Sequence, residues 1–294
     1  MQKLTDNVIM LGNRHFNYFL VGQNESVIVE CGVTGGVASL KSQWPDLQTR
    51  AEKVKKLLVM HAHFDHVCGI PELLRIFPEA QVLGSSEAGR ILSKPKIINN
   101  FFYQDDKMSD ILVNEGILNE KPETPAVNSL EINEHIGEGD VIDIDGILKL
   151  KVLDAPGHSP CGVACYLPTD KVMFLSDAGG FQISDTMVFP VFFQSYEMYI
   201  ETIKRLMSFP TDVLGIPHEK IWVKDEIQVF YNRALQSAKE AFNSIRKMLD
   251  DGLDDNEIKK KLFARYYQGD LQIYTPDNIS ICVGLLLRRV KESL

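Results

Sequence analysis

A chain of 294 residues with 45% hydrophobic content carries enough apolar material for a large core, and α/β sandwiches of this length commonly form one unit. A formal net charge of −9 and a pI near 5.3 exclude a general nucleic-acid surface, which needs a basic stripe. The opening residues Met1-Gln2-Lys3-Leu4-Thr5-Asp6 lack the apolar core of a signal peptide, and the longest apolar run near the end, 281–287, is too short to span a bilayer, so a cytoplasmic protein is expected.

Residues 8–11, 18–21 and 27–30 read as consecutive strands separated by Gly/Asn turns. Residues 56–60 read as a buried parallel strand, and His61-Ala62-His63-Phe64-Asp65-His66 follows it directly. Four metal-binding side chains thus fall within six residues, beyond the carboxyl end of a strand, where open α/β sheets place ligands. Residues 69–77 predict a helix and 81–83 a short strand. A polar insertion over 94–129 carries the aromatic knot Phe101-Phe102-Tyr103 and ends in a Pro/Asn-rich stretch.

A second block of strands is expected at 141–144, 148–153, 162–167 and 172–175. Three further donors each open a loop after an apolar run: His158 in a Gly/Pro turn, Asp177, and His218. Five of the seven His therefore sit at strand ends and can converge on one sheet edge, whereas His15 and His135 read as ordinary structural or surface residues. Two strand blocks mixed with helices fit two sheets packed face to face with helices outside. Neutral imidazoles and carboxylates suit zinc or iron far better than calcium or magnesium.

The apolar run 187–193 precedes a helix expected near Ser195, and from Val223 the pattern is helical. Val229, Ala234, Ala238, Phe242 and Ile245 recur at helical spacing; Gly252 ends that helix, Asp254 or Asp255 caps a second ending near Tyr266, and Pro276-Asp277 opens a third. The five cysteines, Cys31, Cys68, Cys161, Cys165 and Cys282, are odd in number and scattered, which suits small packing residues rather than a disulfide framework.

In order and spacing, the His-x-His-x-Asp-His cluster, the Gly-His-Ser turn, the lone Asp and the lone His resemble the metallo-β-lactamase superfamily over roughly residues 1–222. The resemblance implies an α/β fold, the four-layer αββα sandwich, with a C-terminal helical extension. It divides the chain into a catalytic domain, 1–222, and a helical cap, 223–294. It further implies that His61, His63 and His158 hold one divalent transition-metal ion, that Asp65, His66 and His218 hold a second, and that Asp177 bridges them. A hydroxide held by such a pair is a nucleophile at neutral pH, with Asp65 orienting its proton. Catalytic roles are accordingly expected for Asp65 and Asp177.

Among branches of that superfamily, secreted β-lactamases, basic tRNA-processing nucleases, flavodiiron reductases and glyoxalase II each lack a match in some feature. The stretch from Leu175 to Phe189, Tyr196-Glu197-Met198-Tyr199 and Val29-Glu30-Cys31-Gly32 look like the quinolone-signal response and thioesterase-like branch. That likeness implies hydrolysis of a small-molecule thioester or carboxylic ester in an apolar pocket, for which Phe102, Phe181, Phe189, Phe192 and Phe193 are the candidate lining residues. The alternatives are a phosphodiesterase or lactonase on the same metal pair, or a regulatory protein acting through its helical cap. No nucleic-acid or membrane partner is expected, and a homodimer through the C-terminal helices is one assembly that their apolar stripes would allow.

Overall fold

The computed structural model describes residues 1–47 and 53–294. Their contacts cluster into two compact units, the first formed by Met1–Asp154, Cys161–Ser176 and Thr211–Ile221. It contains two sheets. The first runs in the order β1 (Gln2–Lys3), β2 (Val8–Gly12), β3 (Asn17–Val21), β4 (Ser26–Val29), β5 (Val54–Leu58), β6 (Gln81–Gly84), β7 (Glu134–His135). Its first four strands are antiparallel, and β4 to β7 are parallel. The parallel strands need crossovers, supplied by α1 (Thr34–Gln43) and by α2 (Phe64–Val67) with α3 (Ile70–Ile76).

In the second sheet, β8 (Val141–Ile144), β9 (Leu148–Asp154), β10 (Val163–Leu167) and β11 (Val172–Phe174) pair antiparallel, and β11 pairs parallel with β14 (Val213–Gly215). Strands β8 and β9 alternate, with Ile142, Ile144, Leu148, Leu150 and Val152 buried and the intervening residues exposed. The buried set joins Val8, Phe19, Val21, Val27, Val29, Leu58 and Leu83 of the first sheet in one apolar cluster, so the two sheets share a core face to face. All the strands expected from sequence form, within one or two residues at their ends.

The insertion after α4 (Ser86–Leu92) departs from the expectation of a polar segment. Residues Pro95–Asn114 form a 20-residue helix, α5, with Ile98, Phe102, Asp105, Met108, Ser109 and Leu112 buried. Each of these positions has another three or four residues away, so they make a single stripe. Two polar members of the stripe disguise it in the sequence. Asp105 caps another helix. Its Oδ1 accepts the Thr34 amide at 2.9 Å at the start of α1, whose own N-cap residue Val33 offers no side-chain hydrogen bond. Tyr103 lies on the opposite, exposed face.

The second unit comprises Ala155–Pro160, Asp177–Pro210 and Trp222–Leu294. It contains the hairpin β12 (Phe181–Gln182) and β13 (Val188–Phe189), α6 (Tyr196–Met207), α7 (Asp225–Asp250), α8 (Asp255–Tyr266) and α9 (Pro276–Glu292). The expected punctuation is present. Gly252 has φ +80° after α7, Asp254 and Glu257 form a reciprocal capping box on α8, and Thr275 caps α9 with Pro276 in its first turn. The buried face of α7 is Ile227, Phe230, Tyr231, Ala234, Ala238, Ala241 and Ile245, so Val229, expected on that stripe, faces outward instead. Among the described residues no helix is long and apolar enough to cross a membrane.

Burial pushes the Asp105 carboxyl up to about 6, against the pull of its hydrogen bonds from Thr34. Between about pH 4 and 6 the folded chain keeps a proton at Asp105 that the unfolded chain loses, so stability falls as pH rises across that window, by up to about 3 kcal/mol from this group. Asp105→Asn, which retains an acceptor for the Thr34 amide, should flatten that part of the stability profile in urea unfolding series run from pH 4 to pH 7.

Candidate metal centre

Residues 61–66 lie where β5 has ended and α2 begins. Val59 and Met60 carry the chain inward, and both are fully buried. Gly69, just past α2, lies so near the first strand crossing that a Cβ there would meet the Cys31 carbonyl at 2.1 Å; its amide donates to the Gly32 carbonyl instead. This close approach places Glu30 beside α2. Glu30 is 2% exposed and left-handed at φ +72°, and its Oε2 lies 2.8 Å from His66 Nδ1.

Two further imidazoles of the first unit, His61 and His218, are oriented similarly. His61 Nδ1 lies 3.2 Å from Ser176 Oγ, and His218 Nδ1 lies 2.7 Å from the His15 carbonyl oxygen. Their other nitrogens meet donor atoms: His61 Nε2 is 3.0 Å from His63 Nδ1, and Asp65 Oδ2 is 3.7 Å from His66 Nε2 and 3.8 Å from His218 Nε2. The rings of His61 and His66 have centroids 3.9 Å apart.

In the second unit, His158 occupies the loop 155–160. Gly157 has φ +112°, and a Cβ there would lie 2.3 Å from the backbone of Tyr199 in α6. Its carbonyl accepts the Gln194 and Ser195 amides, and Thr202 Oγ1 donates to the Pro156 carbonyl. The loop is therefore seated against the start of α6. His158 Nδ1 lies 2.8 Å from the Val191 carbonyl, leaving Nε2 3.4 Å from Asp177 Oδ2. The Phe193 ring stands 5.2 Å from the His158 ring, and Arg289 Nε of α9 donates to the Phe193 carbonyl at 2.6 Å.

By donor atoms lying within 4.8 Å of one another, the seven expected ligands fall into two groups. His61, His63, His158 and Asp177 form one; Asp65, His66, Asp177 and His218 form the other. Asp177 belongs to both. A metal ion fits this set: four imidazoles use Nδ1 on an oxygen acceptor, which fixes the tautomer and turns Nε2 toward the other donors. Nitrogen and carboxylate oxygen in groups of four suit a divalent transition metal.

Cys68 and Cys161, near the cluster in sequence, are packing residues. Burial raises the Cys31, Cys68 and Cys165 thiols, keeping them protonated, and Cys161 Sγ receives the Ala62 amide. Each aromatic candidate packs within its own unit. Phe102 is on the buried stripe of α5, Phe181 stands against Tyr274, Phe189 against Tyr266, and Phe192 lies between Tyr196 and Tyr199. Phe193 stands beside the candidate donor ring of His158. Sequence reasoning did not find the oxygen acceptors of Ser176, Val191 and His15.

The metallo-beta-lactamase superfamily model matches residues 12–218. The chain belongs to that superfamily. A metallo-beta-lactamase fold-containing protein of Sulfurisphaera tokodaii is 24% identical over 205 residues, covering 68% of this chain and 71% of its own length. A hydroxyacylglutathione hydrolase of Francisella philomiragia is 21% identical over 217 residues, covering 71% of this chain; the chain spans 64% of that relative. Among solved structures, a metallo-beta-lactamase family protein from Thermus thermophilus has a TM-score of 0.66 at 16% identity, covering 99% of this chain and 95% of its own. An archaeal superfamily protein from Sulfolobus tokodaii has a TM-score of 0.58 at 18% identity, covering 98% and 99%. At these identities the structural likeness establishes the fold.

Glu30→Gln keeps the shape of the side chain beside His66 and removes its charge. It should weaken metal affinity by roughly 10-fold or more while leaving the unfolding midpoint of the metal-stripped protein near that of wild type. Competition with a coloured chelator measures the first and thermal unfolding the second.

Proposed function

We propose that the chain is a dinuclear metal-dependent hydrolase acting on a small-molecule thioester or carboxylic ester. The observation that carries this is the pair of four-donor groups sharing Asp177, with four imidazoles each fixed through the nitrogen opposite the cluster. Two zinc or iron ions held there would lower the pKa of water toward neutrality and polarise the acyl oxygen. His61, His63 and His158 would hold one ion; Asp65, His66 and His218 the other; Asp177 both. Asp65 would hold the second ion through Oδ2, the oxygen that lies near His66 and His218, and its other oxygen would be available to orient a proton of water.

The choice of an acyl substrate rests on the apolar surroundings of His158. Phe193 is half-buried against that ring, and Phe189 and Phe192 pack behind it among Tyr196, Tyr199 and Tyr266. Such a wall excludes water from the reacting bond and favours an apolar acyl group over a multiply charged one. A relative named for hydroxyacylglutathione hydrolysis is consistent with this bond type. The hydrolase fold would span 1–222, with 223–294 a helical cap that supports the pocket wall through the Arg289–Phe193 contact.

Asp177→Asn removes the carboxylate common to both groups and should reduce turnover at least a thousandfold, roughly 4 kcal/mol, with the fold retained by circular dichroism. On a panel of apolar acyl thioesters, carboxylic esters, lactones and bis-aryl phosphodiesters, kcat/KM should be highest for a thioester or ester. A phosphodiester preferred by tenfold, about 1.4 kcal/mol, would reverse the assignment.

A further inference from the structure

His15 lies in the turn between β2 and β3 yet is 1% exposed. Its Nδ1 is 2.7 Å from Glu219 Oε1, and its Nε2, which serves one partner at a time, either donates to Glu115 Oε2 at 3.2 Å or accepts from Arg14 Nε at 2.9 Å according to the tautomer. The backbone carbonyl of the same residue receives Nδ1 of His218. The ring of His15 is thus clamped while its main chain orients a metal-binding side chain.

The turn and the loop bearing His218 are laced together from both sides. Asn13 Oδ1 accepts the amides of His15 and Phe16, which sets the turn. Asn17 donates from its amide to the Pro217 carbonyl and from Nδ2 to the carbonyls of Ile216 and Glu219, while the Glu219 amide donates to the Arg14 carbonyl. Glu219 is left-handed at φ +59°, a conformation sparsely populated for a residue with a Cβ, and its side chain closes on His15.

Glu115 is the C-cap residue of α5, the inserted helix. A carboxylate at a helix C-terminus opposes the macrodipole, so helix stability does not account for it. Its reach to His15 does. The chain of contacts therefore runs from the end of the insertion through Glu115 and His15 to His218.

We propose that Glu115 and His15 are positioning residues for His218, through which the inserted helix sets the affinity of the donor group Asp65, His66, Asp177 and His218 for its metal ion. This rests on the reading of His218 as a ligand. Glu115 is about one-third exposed, so Glu115→Ala tests the link without a core cavity. Stepwise titration of the metal-stripped full chain with cobalt(II), followed by visible absorption, should show the binding step assigned to that group weakened by roughly 10-fold and its band altered, with the other step unchanged. Glu115→Gln, which can still hydrogen-bond His15, should restore the wild-type titration; His15→Gln should reproduce the defect.

Two wild-type-like steps in Glu115→Ala, or equal weakening of both steps together with a lowered unfolding midpoint of the metal-stripped chain, would overturn the proposal. The first of these leaves the dinuclear reading intact, whereas a wild-type chain that takes up no cobalt(II) overturns both.

Discussion

The site depends on fixing four of its five imidazoles through the nitrogen that does not face the cluster. A neutral imidazole has one donor and one acceptor nitrogen, and committing Nδ1–H to an oxygen leaves Nε2 as the acceptor available for a cation. Four rings are committed in this way, to Ser176, Glu30, Val191 and His15. Crowding five imidazoles and two carboxylates into so small a volume with little exposure is costly unless a cation compensates them. The surrounding architecture, including the close approach at Gly69 and the seating of Gly157 against α6, serves to hold those acceptors in place.

The acceptors differ in the control they offer. Glu30 offers a carboxylate oxygen to His66 Nδ1, and a carboxylate partner raises the basicity of a ring toward a metal. The carbonyls of Val191 and His15 are neutral, and they act through the position of the backbone. Each is secured from a distance: the segment around Val191 by the Arg289 bond to Phe193, the His15 turn by Glu219 and Glu115. Two regions, the α5 insertion and the C-terminal helices, thereby reach the candidate donor side chains by way of main-chain oxygens.

The residues of the two donor groups were legible as candidates because each follows a strand, and a strand's carboxyl end marks where a loop can present side chains. The helical tail was legible for a related reason, since Gly252, Asp254 and Pro276 punctuate it with residues of distinct backbone preference. Helix α5 was obscured because Asp105 and Ser109 interrupt its apolar stripe, and only the fold shows that Asp105 is occupied at the Thr34 amide. Val229 misled because an apolar residue at helical spacing can sit on either border of a stripe, and the face of α7 is fixed by Ile227, Phe230 and Tyr231. The oxygen acceptors of Val191 and His15 left no trace, because every residue carries a carbonyl. Glu30 was visible as a residue, but its partner was not.

Anomalous diffraction at a metal absorption edge, from crystals of the reconstituted chain, tests the central claim most directly. The account predicts two peaks sharing Asp177 as a ligand, one coordinated by His61, His63 and His158 and the other by Asp65, His66 and His218. A single peak, or none, with these side chains in the arrangement described would contradict it.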